Sequence, residues 1–124
     1  MNEFRLSFCK LVIISDIITE TIVDDKIEIN NAMIREYHNW LAKQHDGDFG
    51  ILINKVNHYS YSFDAQLEIG TIDRIKAIAV VVPDKSREIA AETILNSIIR
   101  KNIPHRIFYD RNEAINWLNQ TLNV

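Results

Sequence analysis

The chain has 124 residues, 47% of them hydrophobic and 25% charged, with two prolines and three glycines. This is the composition of a soluble globular protein, and the length suits a single domain over residues 1–124, being too short for two cores and too poor in proline and glycine for a linker. Fourteen basic residues against seventeen acidic ones give a net charge of −3, and no positive spot is denser than a pair such as Arg100-Lys101, so the usual electrostatic drive toward nucleic acid is missing.

Phe4, Leu6 and Phe8 alternate with Arg5 and Ser7, which predicts a first strand over Phe4–Ile14. Ser15-Asp16 turns the chain, and Ile17–Val23 returns as the second arm of a hairpin closed by Asp24-Asp25. Met33, Tyr37, Trp40 and Leu41 then recur three or four apart, predicting an amphipathic helix from Asn30 to Gln44 with Asn30 or Asn31 as its cap. His45-Asp46-Gly47-Asp48 ends it, with Gly47 as the residue suited to a left-handed turn and His45 as a C-terminal cation. Ile51, Leu52 and Ile53 do not alternate, as expected of a strand covered on both faces.

Ser62 or Asp64 caps a short helix carrying Phe63, Leu67 and Ile72, whose end near Gly70 is open. A second buried strand, Ile75 to Val82, is stopped by Pro83. Asp84 and Ser86 introduce a helix with the stripe Ala91, Ile94, Leu95, Ile98 and Ile99, which ends before Pro104. Arg106 to Tyr109 forms a last strand, and Asp110 with Glu113 has the spacing of a capping box before a helix carrying Ala114, Ile115, Leu118 and Leu122. The order reads ββαβαβαβα. The fold class is therefore α/β, a mixed sheet of about five strands with an antiparallel N-terminal hairpin followed by right-handed βα units.

The stretch from Gly50 to Asp64, GILINKVNHYSYSFD, runs from an apolar strand into amides, tyrosines and hydroxyls, and strand ends of this kind build ligand and partner sites in open α/β folds. Asn54, Asn57, Tyr59, Ser60, Tyr61, Ser62 and Asp64 are the candidate binding residues, offering donors and acceptors that orient a small ligand or a partner backbone. The bland reading beside it is that asparagine and serine favour loops and that Asp64 only caps a helix. Tyr59 and Tyr61 are expected near a loop, where they would anchor an interface.

ILINKVNHYSYSFD, IKAIAVVVPDKS and the end IFYDRNEAINWL together give the chain a spelling that resembles the STAS-like or SpoIIAA-like superfamily over nearly its whole length. That superfamily contains anti-sigma-factor antagonists and relatives of Sec14-type lipid carriers, and small bacterial members share the asparagine-rich Asn-x-x-Asn-x-Tyr-Ser segment. The resemblance implies a SpoIIAA-like sheet, a regulatory or partner-binding role and phosphorylation at Ser60 or Ser62, where the antagonists carry Asp-Ser-x-Gly. Here the segment is Tyr59-Ser60-Tyr61-Ser62, without that aspartate or glycine. The lipid-carrier relatives imply an alternative, a small apolar ligand in a cavity that this short chain can keep only small.

No motif calls for a cofactor or catalysis. GxGxxG, the phosphate loop and Gly-x-Ser-x-Gly are absent from the sequence. The four histidines, His38, His45, His58 and His105, lack metal-ligand spacing, and His45 with Asp46 and Asp48 reads as a turn. Cys9 forms neither an internal disulfide nor a cysteine metal site and suits a reducing cytoplasm as a small apolar strand residue. The longest apolar run, Ala77 to Val82, is far short of the roughly 20 residues of a membrane span, and MNEFRLSFCK lacks a signal-peptide plan. The initial hairpin and the missing aspartate after Ile53 argue against a two-component receiver domain. The expectation is a cytoplasmic, non-catalytic module with a protein partner, with a lipid or amphiphile binder second and a small enzyme third. An exposed hairpin edge would also permit a homodimer.

Overall fold

The computed structural model describes residues 2–69, 71–98 and 102–123, with the backbone alone for Ser97 and Ile98. Gly70, Ile99 and Arg100-Lys101, which entered the sequence reading, lie outside the described residues, as does the side chain of Ile98. Among the described residues eight strands and four helices run in the order β1 (Glu3–Arg5), β2 (Cys9–Ser15), β3 (Ile18–Val23), β4 (Ile27–Ile29), α1 (Asn31–Gln44), β5 (Phe49–Asn54), β6 (Tyr59–Tyr61), α2 (Phe63–Glu68), β7 (Ile75–Val81), α3 (Lys85–Ile98), β8 (His105–Phe108) and α4 (Arg111–Leu122).

Six strands form the main sheet in the order β1-β2-β3-β5-β7-β8, and β4 and β6 form a separate two-stranded sheet. The five-strand ββαβαβαβα expectation is corrected in two places. The single strand expected over Phe4–Ile14 is broken, because Leu6 donates its N–H to the Cys9 carbonyl (3.0 Å) and the chain folds back as a tight β1–β2 hairpin. The two strands of the small sheet, three residues each, are not among the predicted elements, because so short a segment shows no period. The hairpin expectation holds in kind: β1, β2 and β3 pair antiparallel, whereas β3–β5, β5–β7 and β7–β8 are parallel.

Alternation along β5 assigns the two faces. Ile51 packs with Ile34, Tyr37 and Leu41 of α1 and with Ala91 and Leu95 of α3, while Leu52 packs with Ala114 and Leu118 of α4. Three helices thus cover one face and α4 the other, which is why β5 and β7 are apolar on both sides. Gly50 allows α4 to approach closely, since a Cβ there would lie 3.0 Å from Leu122 Cδ1 and 3.2 Å from Leu118 Cδ2.

Three helix starts follow their sequence signals. Asn30 caps α1 by accepting from the Met33 N–H (3.0 Å), and Asp84 accepts from the Arg87 N–H at the start of α3 (2.9 Å). Asp110 accepts from the N–H groups of Asn112 and Glu113 (2.8 and 3.1 Å). The end of α1 departs from expectation. Gly47 stays outside the left-handed region, and the helix stops at His45, whose backbone is extended (φ −111°, ψ 129°).

His45 is not a C-terminal cation on the surface. Its ring is buried and stacked on Phe49 at 4.4 Å, donates from Nδ1 to the Asp16 carbonyl (2.8 Å), and pairs through Nε2 with the Thr19 hydroxyl (2.7 Å). The Asp16 carbonyl can only accept, so neutral His45 carries its proton on Nδ1 and accepts from Thr19. Burial is the main cause that lowers the pKa of His45. Protonation is therefore easier in the unfolded chain, and stability should fall as pH drops below the ordinary histidine value of about 6.5. Urea denaturation at pH 7.5 and 5.5 should show the loss. His45→Gln should flatten part of the slope, the remainder belonging to His38, which burial shifts the same way.

Candidate functional site

The seven polar candidates do not converge on one pocket. Asn54 lies on the α4 face, where its Nδ2 donates to Glu20 Oε2 (2.9 Å), and Asn57 donates to the Val23 carbonyl (2.9 Å), tying the β5–β6 connection to the end of β3. Ser62 caps α2 by accepting from the Ala65 N–H (3.1 Å), and exposed Asp64 adds an acidic group to that first turn. Ser60 faces outward from β6 and is exposed.

Tyr59 and Tyr61 behave differently. As alternate residues of β6 they share one face, and that face looks inward, against the sheet. They are held there because β6 pairs in parallel register with β4, Tyr59 opposite Ile27 and Tyr61 opposite Ile29. The turn before β4 is made by Lys26, a non-glycine residue in the left-handed region (φ 60°), whose N–H donates to the His58 carbonyl (2.6 Å). His58 in turn donates its N–H to Asp25 Oδ1 (2.9 Å). Asp25, read with Asp24 as a turn residue, thus helps fix where the tyrosines sit.

Between β6, α3 and the sheet is a cavity of about 30 Å³, partly open to solvent. Its walls are Ile53 and Val80 from the sheet, Tyr59 and Tyr61 from β6, and Ala91 and Leu95 from α3. A second cavity of about 20 Å³ lies beside it, reaching toward Phe8, Thr21 and Tyr37 and sharing the walls Ile53, Tyr59, Tyr61 and Ile69. The two tyrosines stand at the partition, their rings 6.0 Å apart and edge-on. Burial raises both phenols, Tyr61 to about 12, so both are neutral near pH 7. The Tyr37 hydroxyl bonds the Thr21 hydroxyl at 2.7 Å, leaving the inner chamber apolar with its polar groups satisfied.

Sequence reasoning missed Lys55. It directly follows β5, its N–H donates to the Val81 carbonyl (2.8 Å), and it is 7% exposed. Its ammonium sits 3.7 Å from the centre of the Tyr59 ring and lines the same cavity. Burial, followed by the charge of Arg87, lowers its pKa to about 8. The signal available was a lysine in an apolar strand exit, four residues before a tyrosine, but lysines near strand ends are ordinarily solvated.

The remaining candidates are quiet. Cys9 is buried in β2 with its thiol pushed up to about 12 by burial, far from the range of a reactive thiolate. Among the described residues no group of three histidine, cysteine, aspartate or glutamate side chains could hold a metal ion, and no helix is long and apolar enough to cross a membrane.

No curated protein matches the sequence. Among solved structures, the chain is similar to an uncharacterized protein of the DUF3478 family with a SpoIIAA-like fold from Shewanella loihica PV-4. The two share 14% identity, the match covers 94% of this chain and 89% of that one, and the TM-score is 0.55, a likeness of fold alone. The mixed sheet with its antiparallel edge and parallel βα units is accordingly SpoIIAA-like in fold. A family profile matches residues 14–122, nearly the whole domain, and the chain belongs to that family, described as a domain of unknown function, DUF7793.

Proposed function

We propose that this protein is a non-catalytic STAS-like binding module whose ligand is a small molecule with an apolar body, seated between β6 and α3. The observation that carries this reading is the partly open cavity of about 30 Å³ next to a second of about 20 Å³, with Tyr59 and Tyr61 as common walls. Two adjoining, partly open apolar spaces under a separate strand pair are room that the packing of the core leaves unfilled. The strand pair β4–β6 does not join the main sheet, so the tyrosines can shift without breaking the main ladder. Ligands bind in such concave, mostly apolar places with a few polar groups at the mouth.

The test is to fill the space. Ala91→Leu adds three carbons from α3 into the cavity, and the variant is expected to melt within a few degrees of the parent. In a thermal-shift screen of small amphiphiles, compounds that raise the melting temperature of the parent should lose that effect in Ala91→Leu. Equal shifts in both proteins would place the ligand elsewhere.

A second reading, a protein partner, is favoured by α2. Phe63 and Leu67, four residues apart on one stripe, are 74% and 68% exposed. Contiguous exposed apolar surface is what a partner would cover. On this reading Ser60 lies on the outer side of the neighbouring strand, accessible to modification, while Ser62 is committed to its cap.

A further inference from the structure

The cavity that Lys55 lines gives its ammonium no acid to pair with. The backbone N–H of Lys55 docks on the Val81 carbonyl (2.8 Å), fixing the residue at the exit of β5, and the residue is only 7% exposed. The nitrogen lies 3.7 Å from the centre of the Tyr59 ring, and both residues line the larger cavity. Among the described residues no carboxylate stands within ion-pair reach of it. Nor is it closed off, since the sealed side-chain atoms without a partner among the described residues are Asn31 Oδ1 and Arg87 Nε.

A lysine at a strand end ordinarily carries its ammonium into water on an apolar stem. Here the nitrogen is laid over an aromatic face that also walls a partly open apolar space. That face steadies a cation but offers no carboxylate to hold the proton, so the nitrogen lone pair is free once the proton leaves. Lysines in such apolar surroundings are the ones that act as nucleophiles toward carbonyl groups. Burial, the main cause, lowers the pKa of Lys55 to about 8, which leaves about one amine in ten unprotonated at pH 7, against under about one in a thousand for an ordinary lysine.

Resting on the reading of the cavity as a ligand site, we infer that the ligand is a small aldehyde, captured by Lys55 as a reversible imine with its aliphatic or aromatic body against Ala91 and Leu95. The nitrogen lone pair adds to the carbonyl carbon, the carbinolamine loses its oxygen as water, and a C=N bond replaces the C=O bond. Ammonium and aldehyde thus give iminium and water, so charge balances and nothing is oxidised or reduced. The iminium keeps its positive charge over the Tyr59 ring, and capture does not forfeit that contact. The apolar walls slow the return of water to the iminium carbon. The enclosed volume limits the body to a short one unless the tyrosines move and join the two cavities.

The experiment is reductive trapping of the full chain at pH 7 with hexanal and sodium cyanoborohydride, which reduces the iminium to a stable secondary amine, read lysine by lysine by peptide mass mapping. Lys55 is expected to be labelled at least about tenfold faster than each of the exposed lysines Lys26, Lys43, Lys76 and Lys85. Excess hexan-1-ol, which fills the cavity without reacting, should slow the labelling of Lys55 and leave the exposed lysines unchanged. Ala91→Leu should do the same, and the hexan-1-ol competition on the parent decides the matter if that variant fails to fold. Labelling of Lys55 no faster than of the exposed lysines would overturn the inference, because a lysine that merely props Tyr59 behaves that way. Selective labelling that hexan-1-ol does not retard would overturn it as well, by placing the aldehyde outside the cavity. Amide NMR of the parent with hexan-1-ol separates this inference from the reading beneath it. Saturable shifts over residues 55–61 and 91–95 without selective labelling would remove the imine and keep the cavity as the ligand site. Silence of those amides together with unselective labelling would overturn both.

Discussion

Arg111→Met is expected to destabilise the protein by about 3–5 kcal/mol, read as a lower urea midpoint with an unchanged slope. Arg111 opens α4, and its guanidinium grips Glu20 of β3 through two nitrogens, Nη2 to Oε1 at 2.8 Å and Nε to Oε2 at 3.1 Å. The Glu20 side chain is only 4% exposed, and its other contact is the Asn54 amide at 2.9 Å. Without Arg111 the carboxylate stays buried with one neutral donor, and the uncompensated charge supplies most of the cost. The double variant Glu20→Met, Arg111→Met should recover most of the loss, because apolar groups of similar volume then fill the same place. A double variant as unstable as Arg111→Met would show that the loss comes from the start of α4 rather than from the buried charge.

Phe49→Ala should cost about 3–5 kcal/mol by a different route, the loss of a fully buried ring and the cavity left behind. Phe49 opens β5, is fully buried, and stacks on the His45 ring at an interplanar angle of 11°. Arg74 lies 5.9 Å from the centre of the same ring and donates to the carbonyls of Ala42 (2.8 Å) and His45, bracing the end of α1. The substitution therefore removes a spacer between α1 and the sheet as well as apolar area. Phe49→Leu, which keeps much of the volume, should lose less than half as much. Equal losses for alanine and leucine would mean that the ring stack, and not the filled volume, is what matters.

The sequence exposed the main frame because its signals are local. Ile51–Ile53 and Ala77–Val81 are apolar without alternation, and that alone marks strands buried on both faces. Asn30 and Asp110 announce helices by capping chemistry that acts within three residues. What escaped is either too short or too distant. Ile27–Ile29 and Tyr59–Tyr61 are three residues long, so their pairing is decided by each other and not by any period of their own. Phe4, Leu6 and Phe8 alternate smoothly through a point where the backbone reverses.

The site was half legible for the same reason. GILINKVNHYSYSFD contains β6, which carries the two tyrosines that wall the cavity. Its amides were the misleading part, since Asn54 and Asn57 spend their donors on Glu20 and on Val23. Lys55 is held by a partner distant in sequence, its N–H docking on the Val81 carbonyl at the end of β7, and no local signal announces that. Glu20 carried a warning, a lone carboxylate among threonines and isoleucines that needs a partner, but the partner lies 91 residues on.

Native mass spectrometry of the untagged protein from its own cells tests the binding-module account most directly. The account predicts a small-molecule adduct that is released on mild activation and is missing from Ala91→Leu. A bare polypeptide mass, or a stable complex with another protein that Phe63→Glu dissolves while Ala91→Leu does not, would contradict it and move the functional surface from the tyrosine-lined cavity to α2.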